Sequence, residues 1–131
     1  MSTAYVAVTI VTIALLVIVS IPDYVPAGFV LKNSAEVHVP RAWLPWLATL
    51  KLAGGAGLLV GLVGIGSDNH AYSVAATTTA AAAGVGLVLY FVGAVAFHAR
   101  ARVFYNIWFP AGYLLLSLAS LVLVVTHASA V

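Results

Sequence analysis

Residues 43–65 read WLPWLATLKLAGGAGLLVGLVGI, twenty-three positions interrupted by one charge, Lys51. An α-helix rises about 1.5 Å per residue, so about 20 such residues cross the hydrocarbon core of a bilayer. A spanning β-strand would be about 10 residues long and would alternate apolar with polar positions. This stretch does neither. In hydrocarbon the backbone must satisfy its own hydrogen bonds, and a helix does so within one segment. Gly54, Gly55, Gly57, Gly61 and Gly64 punctuate the stretch, and Gly57 with Gly61 forms a GxxxG that Ala53 extends. Small residues let helix backbones approach closely where lipid removes the hydrophobic drive to associate.

The same pattern recurs outward in both directions. Apolar runs cover Ala4 to Ile21, Ala71 to Phe97 and Phe104 to Thr126. After Ile21 the prolines Pro22 and Pro26 interrupt the first run, which then resumes through Val30 and Leu31. The expected architecture is all-α, a single four-transmembrane-helix domain over 1–131. Its helices are expected at about 4–31 (kinked at the prolines), 43–65, 71–98 and 104–126. The segment Lys32 to Arg41 is expected to hold a short interfacial helix.

Composition agrees. The 131 residues are 64% hydrophobic and 6% charged, against about 25% charged in soluble domains. Such a chain needs lipid as its solvent. The first run lacks the basic leader and small-residue cleavage site of a signal peptide, so it is read as structure. With no cysteine, disulfides and thiolate metal sites are excluded. A net charge of +2, dispersed along the chain, gives no footprint for nucleic acid.

Lys32, Arg41, Arg100 and Arg102 all fall in the first and third connections, and the second connection and both ends carry no Lys or Arg. The positive-inside rule places those two connections in the cytoplasm and both termini on the other side. The expected location is multi-pass, in a bacterial cytoplasmic membrane.

Charges inside a membrane are costly and usually face a protein interior. Lys51 lies about 12 Å along its helix from Trp43. Asp23 reaches a similar depth if the first helix continues to Leu31. An Asp23–Lys51 pair would then relieve two burial penalties at once. The other reading is interfacial, with Asp23 among headgroups and Lys51 snorkelling outward. Aromatic belts account for Trp43, Tyr105 and Trp108. They suit Tyr90 and Tyr113 poorly, since phenols at that depth need partners. A polar pocket between the helices would supply them. His98, beside Arg100 and Arg102, reads first as an interfacial residue and, in such a pocket, as a ligand contact. His38, His70 and His127 lie in connections or at the chain end, without metal or haem spacing. No metal site and no cofactor is expected.

Three stretches, LKLAGGAGLLVGL (Leu50–Leu62), GLVLYFVGAVAFHARAR (Gly86–Arg102) and NIWFPAGYLLLSLASL (Asn106–Leu121), resemble the DoxX-like family of small four-helix membrane proteins. FVLKNSAEVHVP (Phe29–Pro40), followed by Leu44-Pro45, resembles that family's first loop. The resemblance implies the four-helix fold. It also implies kinship with proteins of quinone-linked sulfur oxidation, oxidative-stress complexes and small-molecule biosynthesis. It carries over no catalytic residue.

The leading expectation is a membrane-embedded acid–base enzyme that cyclises or isomerises a lipophilic, isoprenoid-derived substrate by protonating it. A carboxylic acid in a low dielectric can donate a proton, and aromatic faces stabilise a developing cation. Asp23 is the first candidate acid and Glu36 the second. Tyr24, Trp46, Lys51, Tyr90, His98, Trp108 and Tyr113 are the candidate substrate contacts. The alternatives are a quinone-binding membrane subunit of a redox complex and a non-enzymatic scaffold. The glycine faces suggest a homo-oligomer, and lipid and a lipophilic small molecule are the other expected partners.

Overall fold

In the computed structural model, residues 2–25 and 27–129 are described, with 127–129 as backbone only. Five helices follow one another: α1 (Thr3–Tyr24), α2 (Gly28–Glu36), α3 (Leu44–Gly64), α4 (His70–Arg100) and α5 (Trp108–Ser129). A 3-10 turn, Arg41–Trp43, leads into α3. Four segments are long and apolar enough to span a membrane: Thr3–Tyr24, Arg41–Gly64, His70–Arg100 and Trp108–Thr126.

Local chemistry sets most of the boundaries. Ser2 caps α1, its hydroxyl accepting from the Tyr5 amide at 3.1 Å. Asn69 caps α4 by accepting from the Tyr72 amide, also at 3.1 Å. Each satisfies an amide that the first turn leaves without a partner. Pro45 lies in the first turn of α3, where a missing N–H costs nothing. α2 and α4 both end on a left-handed residue, His38 (φ 62°) and Arg102 (φ 58°). The chain then turns back to bond Val39 N to Ser34 O at 2.8 Å and Val103 N to His98 O at 2.9 Å, the helix-ending pattern usually built with glycine.

The first helix does not run on to Leu31. It passes through Pro22 and stops at Tyr24, because Val25 is extended (φ −100°, ψ 91°). A residue preceding proline is pushed out of the helical region; Pro26 itself lies outside the described residues. The apolar resumption at Val30 and Leu31 belongs to the separate helix α2, which begins earlier than the interfacial helix expected from Lys32. The last helix starts at Trp108 rather than Phe104, after turns over 104–107.

The four spans form a ring in which each packs antiparallel on two neighbours, in the order α1, α3, α4, α5. Glycine makes the α3–α4 seam close. A Cβ on Gly57 would overlap the Ala83 methyl, one on Gly61 the Ala80 methyl, and one on Gly64 the Ala76 methyl. The GxxxG therefore serves packing inside the chain, and it is buried. α1 is inverted relative to a helix in water. Its buried stripe is Tyr5, Thr9, Thr12, Leu16, Ser20 and Asp23, while Ile10, Val11, Val17, Ile18 and Ile21 face outward. Thr12 meets Ser120 of α5 at 3.1 Å. Ser20 and Ser117 donate to carbonyls of their own helices at 2.7 Å and 2.8 Å. An apolar layer of Leu16, Leu58, Leu87, Phe91 and Tyr113 closes the centre.

Candidate functional site

Above that layer, toward the α2 end, the bundle opens. Asp23 sits in the last turn of α1, on the stripe that also buries Leu16 and Ser20. Lys51 sits on the inward stripe of α3, between Ala48 and Gly55. The Lys51 ammonium donates to Asp23 Oδ2 at 2.5 Å, with both side chains buried. This is the one ion pair among the described residues. The Lys51 nitrogen also lies 6.0 Å from the centre of the Tyr90 ring, at the outer edge of a cation–π contact. Removing two charges from water costs several kcal/mol per ion, which mutual attraction roughly offsets. A bundle needing only stability would do as well with apolar residues there.

The pair lines a cavity of about 500 Å³, within the about 300–1,000 Å³ range of small-molecule sites. Its walls are mainly apolar and come from every span. Val19, Leu47, Phe91, Phe97 and Phe109 are among them, and Phe29 and Val30 of α2, with Val37 just past its end, cover it. Polar groups stand at two levels. The ion pair and Tyr90 are deep. His98, Asn33, Ser34 and Asn106 are nearer the α2 end. Tyr90 and His98 are eight residues apart on α4, about 12 Å.

His98 is buried, and its Nδ1 lies 2.9 Å from Ala94 O. A carbonyl only accepts, so Nδ1 carries the hydrogen and the Nε2 of a neutral ring is left as an acceptor. The interfacial reading of His98 does not fit this enclosure. The Tyr90 hydroxyl makes no hydrogen bond among the described residues, and its ring stands edge-on to Phe91 at 4.9 Å. Tyr113 is different: its hydroxyl donates to Leu15 O at 3.0 Å, and its ring stacks on Phe91 at 5.2 Å. It is a wall tied to α1.

Two side-chain bonds fasten α2 to the α4–α5 connection. Asn106 Nδ2 donates to Asn33 Oδ1 at 2.8 Å, and Tyr105 donates to Glu36 Oε1 at 2.7 Å. The second bond holds the Tyr105 phenol above its ordinary pKa, with slight desolvation and the carboxylate's charge acting the same way. The Asn106 side-chain oxygen is buried without a protein partner among the described residues.

The cavity thus brings together Asp23, Lys51, Tyr90, His98, Trp108 and Tyr113 of the expected set. It leaves out three. Trp46 is 73% exposed on the outer face. Tyr24 also faces outward and bonds Thr49 at 2.6 Å. Glu36 is engaged with Tyr105 and does not line the cavity. Sequence reasoning missed Asn33, Ser34 and Phe29 as lining residues, since it expected only an interfacial helix within Lys32–Arg41, and it read Trp43 only as part of a belt although Trp43 lines the cavity. The spacing Leu44, Leu47, Lys51 held a signal for α3: counting back from Lys51 in steps of four and three puts Trp46 off the inward stripe. No three His, Asp or Glu side chains among the described residues converge as a metal site.

Four apolar spans around a cavity with an ion pair define a polytopic integral membrane protein with an intramembrane polar site. The chain belongs to the DoxX-like family, whose model matches residues 7–120, a stretch that contains every cavity residue named above. No curated protein and no solved structure matches it.

Proposed function

We propose that this protein binds a lipophilic, isoprenoid-derived molecule in the cavity and isomerises or cyclises it by proton transfer. The observation that carries the reading is the Asp23–Lys51 pair, two charges held inside a mainly apolar, membrane-depth cavity of ligand size. Intramembrane ionisable residues are functional candidates by default. The pair changes the assignment of roles. Asp23 accepts from Lys51, so the two act as one proton-handling unit with the proton on the Lys51 nitrogen. An epoxide oxygen at the deep end takes that proton as its carbon–oxygen bond opens, leaving a hydroxyl on the substrate and a neutral Lys51 amine. Charge developing on carbon faces the rings of Tyr90 and Phe91. Asp23 then removes a proton from a neighbouring carbon and returns it to the Lys51 amine it faces, so one proton enters, one leaves, and no redox partner is required. Glu36 has no part in this chemistry. Lys32, Arg41, Arg100 and Arg102 put the α2 end of the bundle in the cytoplasm by the positive-inside rule, in a bacterial cytoplasmic membrane.

A second reading has a specific observation in its favour. Lys51 and Tyr90 both line the cavity, with the Lys51 nitrogen 6.0 Å from the Tyr90 ring centre, and an ammonium and a phenol are donors suited to the carbonyl oxygen of a quinone. In that case a partner protein carries the redox centre. The test offers purified protein polyprenyl epoxides and, separately, quinones with a reductant. Epoxide turnover lost in Asp23→Asn supports the acid–base reading. Quinone binding without epoxide turnover replaces it with the second.

A further inference from the structure

A second hollow of about 520 Å³ lies on the outer face of the bundle, between α3 and α4. It is lined by Leu50, Ala53, Gly54, Ala83, Gly86 and Leu87, together with Leu89 and Tyr90. Leu89 and Tyr90 also line the cavity. The two hollows are therefore consecutive stations on one interface. Along α4 the groove occupies 83–90 and the cavity 89–98. Along α3 the groove residue Leu50 adjoins the cavity residue Lys51. Tyr90 is the polar residue the two hollows share, and Lys51 and Asp23 line the cavity beyond it. The groove holds no charged residue, and Leu50 and Leu89 present 57% and 66% of their surfaces outward, where the bilayer lies.

We infer that the groove is the tail subsite of the same ligand, and that the ligand is a head-and-tail molecule. Its polar end sits at the Asp23–Lys51 pair and its isoprenoid chain lies in the α3–α4 groove. This rests on the function proposed above. Continuity through Leu89 and Tyr90 is the argument for a ligand tail over an ordinary lipid chain. A molecule with its oxygen at Lys51 has the groove immediately beside it on the side of the bilayer centre. Glycine keeps the groove open. A Cβ on Gly86 would meet nothing within 4 Å, so a side chain can start from 86 into the groove without a clash at its first atom.

The test uses photo-crosslinking in detergent with two probes, both terminal epoxides of a geranylgeranyl chain. One carries a diazirine beside the epoxide and the other at the far end of the chain. Excess unlabelled epoxide defines specific labelling, and peptide mapping reads the sites. The expected result is head labelling on the cavity residues Asp23, Leu47, Lys51 and Phe91, and tail labelling confined to the groove residues Leu50, Ala53, Gly54, Ala83, Gly86 and Leu87. Gly86→Phe should remove the tail labelling and leave the head labelling. Gly86→Ala, which leaves most of the groove empty, should keep both. Tail labelling spread over all lipid-facing helices, or untouched by Gly86→Phe, overturns the tail subsite while leaving the cavity reading standing. Absence of specific head labelling overturns both.

Discussion

Asp23 and Lys51, twenty-eight positions apart in the chain, close a 2.5 Å ion pair at the point where the core of the bundle gives way to a cavity. The pair is reached through helix geometry. α1 carries its carboxylate on the same inward stripe as Ser20 and Leu16, and α3 returns antiparallel with Lys51 facing it. Everything proposed for the function turns on this contact.

Lys51→Met leaves a carboxylate buried without its counter-charge, and removing one partner of a buried pair costs about 3–5 kcal/mol. Asp23→Leu alone strands the ammonium in the same way. The double variant Asp23→Leu/Lys51→Met strands neither and should recover most of the loss. Reversible unfolding in mixed micelles, read as a double-mutant cycle, measures the coupling. Additive losses would mean that the two side chains do not meet.

Tyr90 and Tyr113 should respond oppositely to loss of the hydroxyl. Tyr113→Phe removes the bond to Leu15 O and should cost about 1 kcal/mol of stability. Tyr90→Phe removes a hydroxyl with no protein partner among the described residues. Its midpoint of unfolding should not fall, while turnover or ligand affinity does. Thermal melts run beside the substrate assay separate the two.

The glycines divide just as sharply. Gly61→Leu forces a side chain into the Ala80 methyl on α4, and overpacking of this kind costs about 1–3 kcal/mol or more. Gly112→Ala meets nothing within 4 Å and should be neutral or stabilising by up to about 1 kcal/mol through helix propensity. Because Gly57 and Gly61 are spent on the α3–α4 seam, Gly61→Leu should lower the unfolding midpoint of the monomer itself. Loss of self-association with unchanged monomer stability would contradict this packing.

The Tyr105–Glu36 bond predicts a titration. Its phenol is raised by the hydrogen bond to the carboxylate. Its contribution to holding α2 is therefore complete below the ordinary tyrosine value of about 10 and is lost as pH rises through the higher folded value. Glu36→Ala should return Tyr105 toward the ordinary value. Ultraviolet titration of tyrosinate, with Tyr105→Phe as the assignment control, reads the shift.

Much of this was legible beforehand, and the failures have physical causes. The four spans follow from run length against bilayer thickness. The Asp23–Lys51 pair follows from matching depths, though for the wrong reason: the depth match did not need a helix to Leu31, because α1 carries Asp23 inward before it ends. What stayed hidden was where α2 begins and that it covers the cavity. Nine residues of mixed polarity show no decisive period, and the extended Val25 ends α1 before them. Asn33, Ser34 and Phe29 were hidden with it. Trp46 was misplaced because aromatic character does not report direction, whereas its register relative to Lys51 does. His98 was undervalued because its neighbours Arg100 and Arg102 mark an interface, while its own side chain turns back along α4 to Ala94.

The most direct test of the central claim is turnover of polyprenyl epoxides by wild type and by the Asp23→Leu/Lys51→Met double variant, both first shown to be folded. The double variant keeps the cavity's shape and removes only its proton-handling pair. The account predicts loss of turnover by a factor of about 10²–10⁴, the usual contribution of positioned acid–base groups. Equal turnover in the two proteins would contradict it and leave the ion pair a structural contact.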